Sequence, residues 1–433
     1  MTSDRRTFLA TLAGMTVGVG GRWQSDLRVD GARLNETLQY LTQFGATPDG
    51  GVSRVAYSDA DRAGRDYARQ LMGMADLEVS VDLAGNLTGR RSGRDASLPP
   101  ITLGSHIDSV PEGGNYDGQV GSMAAIEVAR TLADRGVHTR HPLEVVLFQN
   151  EEGGKTGSRA WSGEVEPAEL DIVTASGKAI RDGIAFLGGD PDRLDDARRE
   201  RGSVAAYLEL HIEQGAVLER AGIPIGVVEG IVGIKRWSVT VTGFANHAGT
   251  TPMDQRRDAL VAAADFTSRV YDHVRDRPGR QVATVGRIAA EPGAPNVIPG
   301  RVTLSLEVRD LSMETIDAVF AELEREARAI GRAREVEFAF ERFYVSRAAP
   351  TDPRLRDIVE QSAAGLTLTT QRMPSGAGHD AQSVAQFAPV GMIFVPSRGG
   401  ISHSPREYTS PEHVIHGANV LLRATMLADA RNW

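Results

Sequence analysis

Short, largely apolar strand-like segments alternate with helical segments over residues 31–232. The strand-like segments include ITLGSHID, LEVVLFQN, AYLELHI and IPIGVVEG, and VGSMAAIEVARTLADRG is helical in pattern. Strands without a polar face are typical of a sheet that helices cover on both sides. The pattern resumes near residue 350, with a helix over 352–364, a strand over 391–397 and a helix from Pro411 onward. These segments predict an α/β domain of three layers.

A different pattern interrupts this domain between residues 233 and 345. RWSVTVTG predicts a strand, RRDALVAAADFTSRVYDHV a helix, QVATVGRIAA and RVTLSLEVRD two strands, METIDAVFAELEREARAIG a helix and EVEFAFERF a strand. The order β-α-β-β-α-β is that of the ferredoxin-like unit. We therefore predict an inserted domain over 233–345, flanked by the two parts of the larger domain over 26–232 and 346–433.

The bulk composition excludes several classes of protein. With 433 residues the chain is too long for one ordinary core. A formal charge of −9 and a pI near 5.7 argue against nucleic-acid binding, which normally needs a basic surface. The chain has no run of some eighteen apolar residues, so it is not a multi-spanning membrane protein. It has no cysteine, so any metal must be held by histidines and carboxylates.

The first 25 residues resemble a twin-arginine export signal. Arg5 and Arg6 directly precede Thr7, Phe8 and Leu9, which are followed by a short, weakly apolar run of Ala, Gly and Val. The alternative is an ordinary N-terminus with two chance arginines. We predict a periplasmic or otherwise exported protein without stable membrane association, or a cytoplasmic one if the signal is not functional.

Histidines and acids follow several predicted strands. In a strand, residues i and i+2 point to the same face, so His106 and Asp108 are predicted to project together. A single histidine at a strand end is usually structural, but several at one edge of a sheet favour a metal site. Imidazole and carboxylate without thiolate suit zinc, manganese, cobalt or nickel. The candidate donors in GSHID, NYDG, FQNEEGG, LELHIEQG and ISHSPRE are His106, Asp117, Glu151, Glu152, His211 and His403.

These motifs, together with NHAGTTPMDQRRDA, PNVIPG and SGAGHDA, resemble the M20 metallopeptidase clan. They are most similar to its amidohydrolase branch of N-carbamoyl-L-amino-acid hydrolases, allantoate amidohydrolases and β-ureidopropionases. The likeness runs from about residue 31 to the C-terminus, and HIEQG and NHAGTTPMD are its most specific parts. It implies a phosphorylase/hydrolase-like three-layer α/β catalytic domain with an inserted ferredoxin-like α+β dimerisation (lid) domain, and a homodimer through residues 233–345.

The resemblance implies two divalent metal ions per subunit, zinc, manganese or cobalt. Asp117 would bridge both ions, His106 and His211 would complete one site, and Glu152 and His403 would complete the other. The bond from Asp117 to Gly118 is a candidate for a cis peptide.

Two further acids have implied roles in catalysis. Asp108 would hydrogen-bond the imidazole of His106 and fix its tautomer, although a turn or cap residue is the alternative. Glu151 would act as general base and pass a proton from water to the leaving nitrogen. The alternative, a solvated pair of acids, fits poorly after the apolar run LEVVLF.

The inserted domain is expected to recognise the substrate. His247 would stabilise the developing oxyanion, and Arg236, Asn296 and Arg309 would bind the substrate's carboxylate or adjoining atoms. The two arginines could instead be exposed sheet residues. Gln214 would contact the ureido or carboxylate end. The sequence assigns no role to His379 and Asp380.

The resemblance implies hydrolysis of a linear amide or ureido C–N bond in a small carboxylate-bearing substrate, which we expect to be an N-carbamoyl-L-amino acid. Allantoate or ureidoglycolate hydrolysis is the alternative, followed by an M20 dipeptidase or aminoacylase. A non-catalytic binding protein of the same fold is the most remote one. After the paired glutamates this chain reads EEGGKTGSRAW, shorter than the Ser-, Arg- and Phe-containing loop of many relatives, so its pocket wall is expected to differ.

Overall fold

A computed structural model describes residues 27–433, and these form two compact units. The first unit runs to Glu229 and continues over Thr351–Met373 and His379–Trp433, and the second comprises Gly230–Pro350 and Pro374–Gly378. The predicted export signal lies outside the described residues. No described helix is both long and apolar enough to cross a membrane.

Helices and strands are numbered separately in chain order. The helices are α1 (Gly31–Leu41), α2 (Asp59–Met74), α3 (Gln119–Asp134), α4 (Thr156–Ser162), α5 (Ile180–Phe186), α6 (Val217–Ala221), α7 (Ala259–Asp276), α8 (Met313–Arg334), α9 (Pro353–Ala364), α10 (Asp380–Val384) and α11 (Pro411–Asp429). The strands are β1 (Glu78–Val81), β2 (Leu87–Arg91), β3 (Ile101–His106), β4 (Leu143–Phe148), β5 (Ala206–Ile212), β6 (Ile225–Ile231), β7 (Gly233–Thr242), β8 (Asn246–His247), β9 (Val282–Glu291), β10 (Val297–Ile298), β11 (Arg301–Asp310), β12 (Glu337–Ser346), β13 (Ala349–Pro350), β14 (Thr370–Ser375) and β15 (Val390–Val395).

The larger sheet is mixed. Its strand order is β1-β2-β4-β3-β5-β15-β6-β13, with β14 paired to β6. Strands β4, β3, β5 and β15 run parallel to one another, whereas β2 and β6 join them antiparallel. Every residue of the four parallel strands is buried, which is the burial expected of a sheet covered on both faces. Because these strands are parallel, their carboxyl ends meet at one edge.

Helix α3 packs closely against the centre of this sheet. A Cβ atom at Gly121 would lie 2.0 Å from the carbonyl oxygen of Leu210, so only glycine allows this approach. The contact brings the start of α3, and with it Asp117, to the end of β5, which carries His211. One missing side chain thus helps to set the geometry of the candidate site.

The second unit contains a four-stranded antiparallel sheet of order β12-β7-β11-β9. Helices α7 and α8 complete the β-α-β-β-α-β order of the ferredoxin-like fold. Burial alternates along β7 and β11, so one face carries apolar residues such as Val239 and Leu304, which pack with Phe266 of α7. Each buried aliphatic side chain contributes roughly 1.5–3 kcal/mol. The other face carries polar residues, among them Arg236 and Glu307.

The structure confirms the predicted fold class and corrects local details. Strands β1 and β2, which form a hairpin, were not among the predicted strands. Both are short and contain polar residues, so they lack the continuous apolar pattern of a strand that is buried on both faces. The prediction of a cis peptide bond between Asp117 and Gly118 is wrong, because that bond is trans. Among the described residues the cis peptide bond is the one between Glu291 and Pro292. Gly118 turns the chain into α3 with a φ of 77° instead.

Candidate metal centre and substrate groups

Asp117 is the central residue of the candidate metal centre. It precedes α3, and its Oδ1 lies 3.1 Å from Nε2 of His211 and 3.7 Å from Nε2 of His106. The two histidines lie at the ends of β5 and β3, and all three residues are buried. One carboxylate oxygen therefore faces two imidazoles.

The other oxygen of Asp117 faces a second group of donors. Its Oδ2 lies 3.2 Å from Nε2 of His403, which in turn lies 3.5 Å from Oε2 of Glu152. The structure thus brings together all five predicted ligands in two groups, His106–Asp117–His211 and Asp117–Glu152–His403, which share Asp117. The His403 side chain is 49% exposed, so the second group is open to solvent.

The hydrogen bonds of the buried histidines test whether a cation fits. Nδ1 of His211 lies 2.9 Å from the carbonyl of Ile212, and Nδ1 of His106 lies 3.1 Å from the carbonyl of Asp108. A ring nitrogen beside a carbonyl carries a proton, so in its neutral form each ring directs the lone pair of Nε2 toward Asp117. Nε2 of His211 is buried and faces Oδ1 of Asp117 at 3.1 Å. Lone pairs that face one another across 3–4 Å fit a divalent cation between them.

The electrostatics of the site also favour a cation. Burial, reinforced by the charges of Asp117 and Glu151, raises the pKa of Glu152 to about 11. Burial opposes protonation of His211, but the hydrogen bond and charge of Asp117 raise its pKa to about 9. Protons therefore occupy these donors in the metal-free protein, and bound cations would replace them.

Glu151 lies beside the ligands but belongs to neither group. Its Oε2 is 3.8 Å from Nε2 of His106. Burial raises its pKa, although the charges of His106 and Lys155 oppose the shift. A carboxylate with a raised pKa that does not bind metal has the properties of a general base.

The Asp108 carboxylate does not form the predicted hydrogen bond to His106. Strand β3 ends at His106, so Asp108 lies beyond the pleat that would have aligned the two side chains. Its backbone carbonyl contacts the imidazole, whereas its carboxylate is 3.7 Å from that ring. The carboxylate instead accepts the backbone N–H of Glu152 at 3.1 Å and that of Glu151 at 3.4 Å. Asp108 therefore positions the turn that carries both glutamates.

Glu407 was not singled out by the sequence. It is buried, and its Oε1 accepts the N–H groups of Tyr116 at 2.9 Å and Asp117 at 3.0 Å. Its Oε2 accepts the N–H of His403 at 3.2 Å and lies 2.9 Å from the Ser402 hydroxyl. Its place four residues after His403, in SHSPRE, was the available signal.

A second acid behind the centre was also missed. Glu209 precedes His211 by two residues on β5, the spacing that had singled out His106 and Asp108. Its Oε1 accepts the Ser105 hydroxyl at 2.8 Å.

His379 lies against His211 with ring centroids 4.4 Å apart, and Glu209, His211 and His379 form a third close group of donors. Asp380 follows at the start of α10, where burial raises its pKa.

Gln214 contacts the centre itself. Its Nε2 donates to Oδ2 of Asp117 at 2.5 Å, and its backbone N–H donates to Ser397 at 3.1 Å. Its Oε1 is buried and has no hydrogen-bond partner. The predicted contact with substrate stays a prediction.

Arg236 and Arg309 lie together on the polar face of the sheet in the second unit. The Nε of each donates to a different oxygen of Glu307, and both distances are 2.6 Å. Nη1 of Arg309 also donates to the carbonyl of Gly376 at 2.7 Å. These residues are therefore not ordinary exposed sheet residues but a paired cationic group.

His247 is exposed on β8, which pairs with β10. Its Nδ1 accepts the backbone N–H groups of Gly249 at 3.0 Å and Thr250 at 3.2 Å. Nδ1 is therefore unprotonated, and Nε2 carries a hydrogen that points away from the turn. Asn296 is also exposed, and its carbonyl accepts the N–H of Ala248 at 3.0 Å, so it lies beside the same turn.

A family model described as peptidase family M20/M25/M40 matches residues 102–427, which include all five candidate ligands. The chain belongs to this family. M20 enzymes use divalent metal ions, in agreement with the candidate donor groups. The predicted membership of the M20 clan is confirmed.

Similar proteins include members of the amidohydrolase branch. The chain is 41% identical over 398 residues to N-carbamoyl-L-amino acid amidohydrolase of Geobacillus stearothermophilus, covering 91% of this chain and 97% of that protein. It is 33% identical to allantoate amidohydrolase of Bacillus subtilis, covering 90% and 95%. A solved structure of a hydantoinase/carbamoylase family amidase from Burkholderia multivorans has a TM-score of 0.85 and 37% identity, and the match covers 94% of this chain and all of that one. These likenesses support the predicted class of hydrolases that act on C–N bonds other than peptide bonds.

Proposed function

We propose that this protein is a binuclear metal-dependent amidohydrolase that hydrolyses N-carbamoyl-L-amino acids to the free amino acid, ammonia and carbon dioxide. The observation that carries the proposal is the two-sided environment of Asp117, with histidines facing each oxygen and Glu151 beside them but outside both donor groups. The 41% identity to a carbamoyl amino acid hydrolase supports the substrate class.

Two divalent ions, zinc, manganese or cobalt, would be held by the two donor groups. His106 and His211 would hold one, Glu152 and His403 the other, and Asp117 would bind both. When bound, such ions lower the pKa of a nearby water and polarise the carbonyl of the substrate.

The chain's own residues would carry the proton and the developing charge. Glu151 takes a proton from the attacking water and delivers it to the leaving nitrogen, and its raised pKa suits both steps. His247 donates its Nε2–H to the oxyanion as it forms, since its Nδ1 is already engaged by the turn. Asp108 keeps Glu151 in place through the backbone of the turn.

Recognition of the substrate carboxylate falls to the second unit. Arg236 and Arg309 keep N–H groups beyond those used by Glu307, and a guanidinium binds a carboxylate through parallel hydrogen bonds. Asn296, beside the His247 turn, and Gln214, beside Asp117, would contact the polar atoms nearby.

Allantoate or ureidoglycolate is the second candidate substrate. The 33% identity to an allantoate amidohydrolase favours it, because both substrate classes combine a carboxylate with a ureido group. We expect the short loop EEGGKTGSRAW, which begins with the paired glutamates, to form part of the pocket wall and to influence the choice between the two substrates.

We further propose a homodimer through residues 233–345 and export by the twin-arginine route. Edge strand β12 exposes Phe343 and Val345, and edge strand β9 exposes Val282 and Ile288. Unpaired edges with apolar side chains are suited to pairing with a second copy. Sedimentation of the purified protein tests the dimer.

Replacing Arg5 and Arg6 by lysines should leave the protein in the cytoplasm if export uses the twin-arginine route.

The reaction is tested by ammonia release. Metal-stripped protein is reconstituted with zinc, manganese or cobalt and offered N-carbamoyl-L-amino acids, their D-enantiomers, allantoate, ureidoglycolate and dipeptides. We expect metal-restored release from the L-carbamoyl compounds and little from the D-series. Release from allantoate alone would establish the second candidate, and dipeptide cleavage without ammonia would indicate a peptidase. No turnover under any condition would support a non-catalytic binding protein.

A further inference from the structure

Glu307 lies between the two arginines proposed to bind the substrate carboxylate. Its Oε2 accepts Nε of Arg236 and its Oε1 accepts Nε of Arg309, each at 2.6 Å. Both arginines thus use Nε on an acid of the protein, and Arg309 also uses Nη1 on the carbonyl of Gly376, so the terminal N–H groups of Arg236 and those on Nη2 of Arg309 are left for a ligand.

The strand register creates this arrangement. Glu307 on β11 is directly opposite Arg236 on β7, and Arg309 follows two residues later on the same face. On the other side of Arg236, Tyr344 of β12 is the cross-strand partner, and its ring lies 4.8 Å from the guanidinium. Arg309 is further held by the carbonyl of Gly376. Both guanidiniums are therefore fixed in direction.

The charges of the three residues do not cancel. Burial opposes ionisation, but hydrogen bonds from Arg309 and Arg236 hold the pKa of Glu307 below its ordinary value. The group therefore has two positive charges and one negative charge at neutral pH. The resulting net charge of the three side chains is positive by one unit, which one carboxylate of the substrate would neutralise.

We infer that Glu307 is a specificity-determining residue that matches the arginine pair to substrates with one negative charge and disfavours those with two. The inference rests on the proposed function, because it assigns the substrate carboxylate to Arg236 and Arg309. Glu307 fixes both guanidiniums by their Nε atoms and repels a second carboxylate on the substrate. Without the negative charge of Glu307, the two arginines would carry two positive charges and would attract a substrate with two negative charges.

The test compares two substrates of nearly equal shape and different charge, N-carbamoyl-L-asparagine and N-carbamoyl-L-aspartate. In the wild-type protein we expect a higher kcat/KM for the asparagine compound. In Glu307→Gln the ratio should move toward the aspartate compound by about tenfold, mainly through KM. A ratio measured within one variant is independent of how much of that variant is folded, so a merely structural role would not change it.

Glu322→Gln is the matched control. Glu322 lies in the same unit, accepts Nε2 of His273 at 2.6 Å and also pairs with Arg277. Its side chain is 24% exposed, against 22% for Glu307. We expect this variant to keep the wild-type ratio, and Glu307→Asp, which retains the charge, to stay closer to wild type than Glu307→Gln.

Two measurements keep the inference testable if a variant folds poorly or the protein is inactive. If the wild-type preference for the asparagine compound over the aspartate compound is electrostatic, it should decrease as the salt concentration rises from about 0.05 to 0.5 M. A preference that arises from the shape of the pocket would not depend on salt. Calorimetric affinities for the two compounds should shift between wild type and Glu307→Gln as the kcat/KM values do. An unchanged ratio in Glu307→Gln and a salt-independent preference would each overturn the inference. Inactive wild-type protein whose affinities still shift would instead refute the proposed reaction.

Discussion

The Glu407 carboxylate accepts the backbone N–H of Asp117 at 3.0 Å, although 290 residues separate the two in sequence. The same carboxylate accepts the N–H of His403 at 3.2 Å. Glu407 thus joins two segments that each supply a candidate ligand, and it does so without entering either donor group. It orients the candidate bridge and one histidine together.

Glu407→Gln should weaken metal binding by about 10- to 100-fold, because an amide cannot accept hydrogen bonds at both of its terminal atoms. Titration against a competing chelator measures the affinity, and the rise in Tm on adding metal gives a second readout. Glu412→Gln is the control, since Glu412 is 78% exposed at the start of α11. Equal affinities in both variants would show that Glu407 does not support the metal centre.

Glu151 and Glu152 should respond differently to the same substitution. Glu151 belongs to neither donor group, so Glu151→Gln should retain two bound ions and lose activity by at least about 100-fold. Glu152 lies 3.5 Å from His403, so Glu152→Gln should lose much of the second ion. Metal content by elemental analysis and ammonia release, measured on the same samples, separate the two roles. Loss of metal in Glu151→Gln would assign that residue to the ligands instead.

The main ligands were predictable because their positions depend on local order and sheet direction. His106, His211 and the paired glutamates all end or follow parallel strands, and a parallel sheet gathers such ends at one edge. Asp117 could be placed because it lies two residues before the start of α3. The local pattern thus predicted these residues as candidate donors at one edge, whereas their division into two sites that share Asp117 was implied by the resemblance to the M20 clan.

The supporting contacts could not be predicted in the same way. The contact of Glu407 with Asp117 depends on how a loop after β15 packs against the start of α3, which no local pattern encodes. The role of Asp108 depended on whether β3 ended at residue 106 or 108, and a difference of two residues moved its carboxylate from the imidazole to the turn. The pairing of Arg236 with Glu307 required the register of β7 and β11.

Metal affinity should rise with pH throughout the range from about pH 6 to pH 9. Asp117 raises the pKa of His211 to about 9 against the effect of burial, so below that pH a proton must leave before an ion can bind. Affinity increases with pH, and does not decrease, because a protonated imidazole has no lone pair for the metal. Calorimetry in buffers of different ionisation enthalpy should detect on the order of two protons released per subunit near pH 7, with Glu152 supplying the second. An affinity that is flat between pH 6 and pH 9 would contradict this prediction.

His247→Ala should lower kcat by about 100- to 1000-fold and change KM little, because Nε2–H is proposed to act on the oxyanion and not on the ground-state substrate. The imidazole accepts the N–H groups of Gly249 and Thr250, whereas the bonds from Thr251 reach the backbone carbonyl of His247 and persist in the variant, so the unit should remain folded. His273→Gln, on helix α7 of the same unit, is the control for general effects of removing a histidine. Steady-state kinetics on one carbamoyl amino acid, with circular dichroism of both variants, provide the comparison. A rise in KM at constant kcat would instead assign His247 to substrate binding.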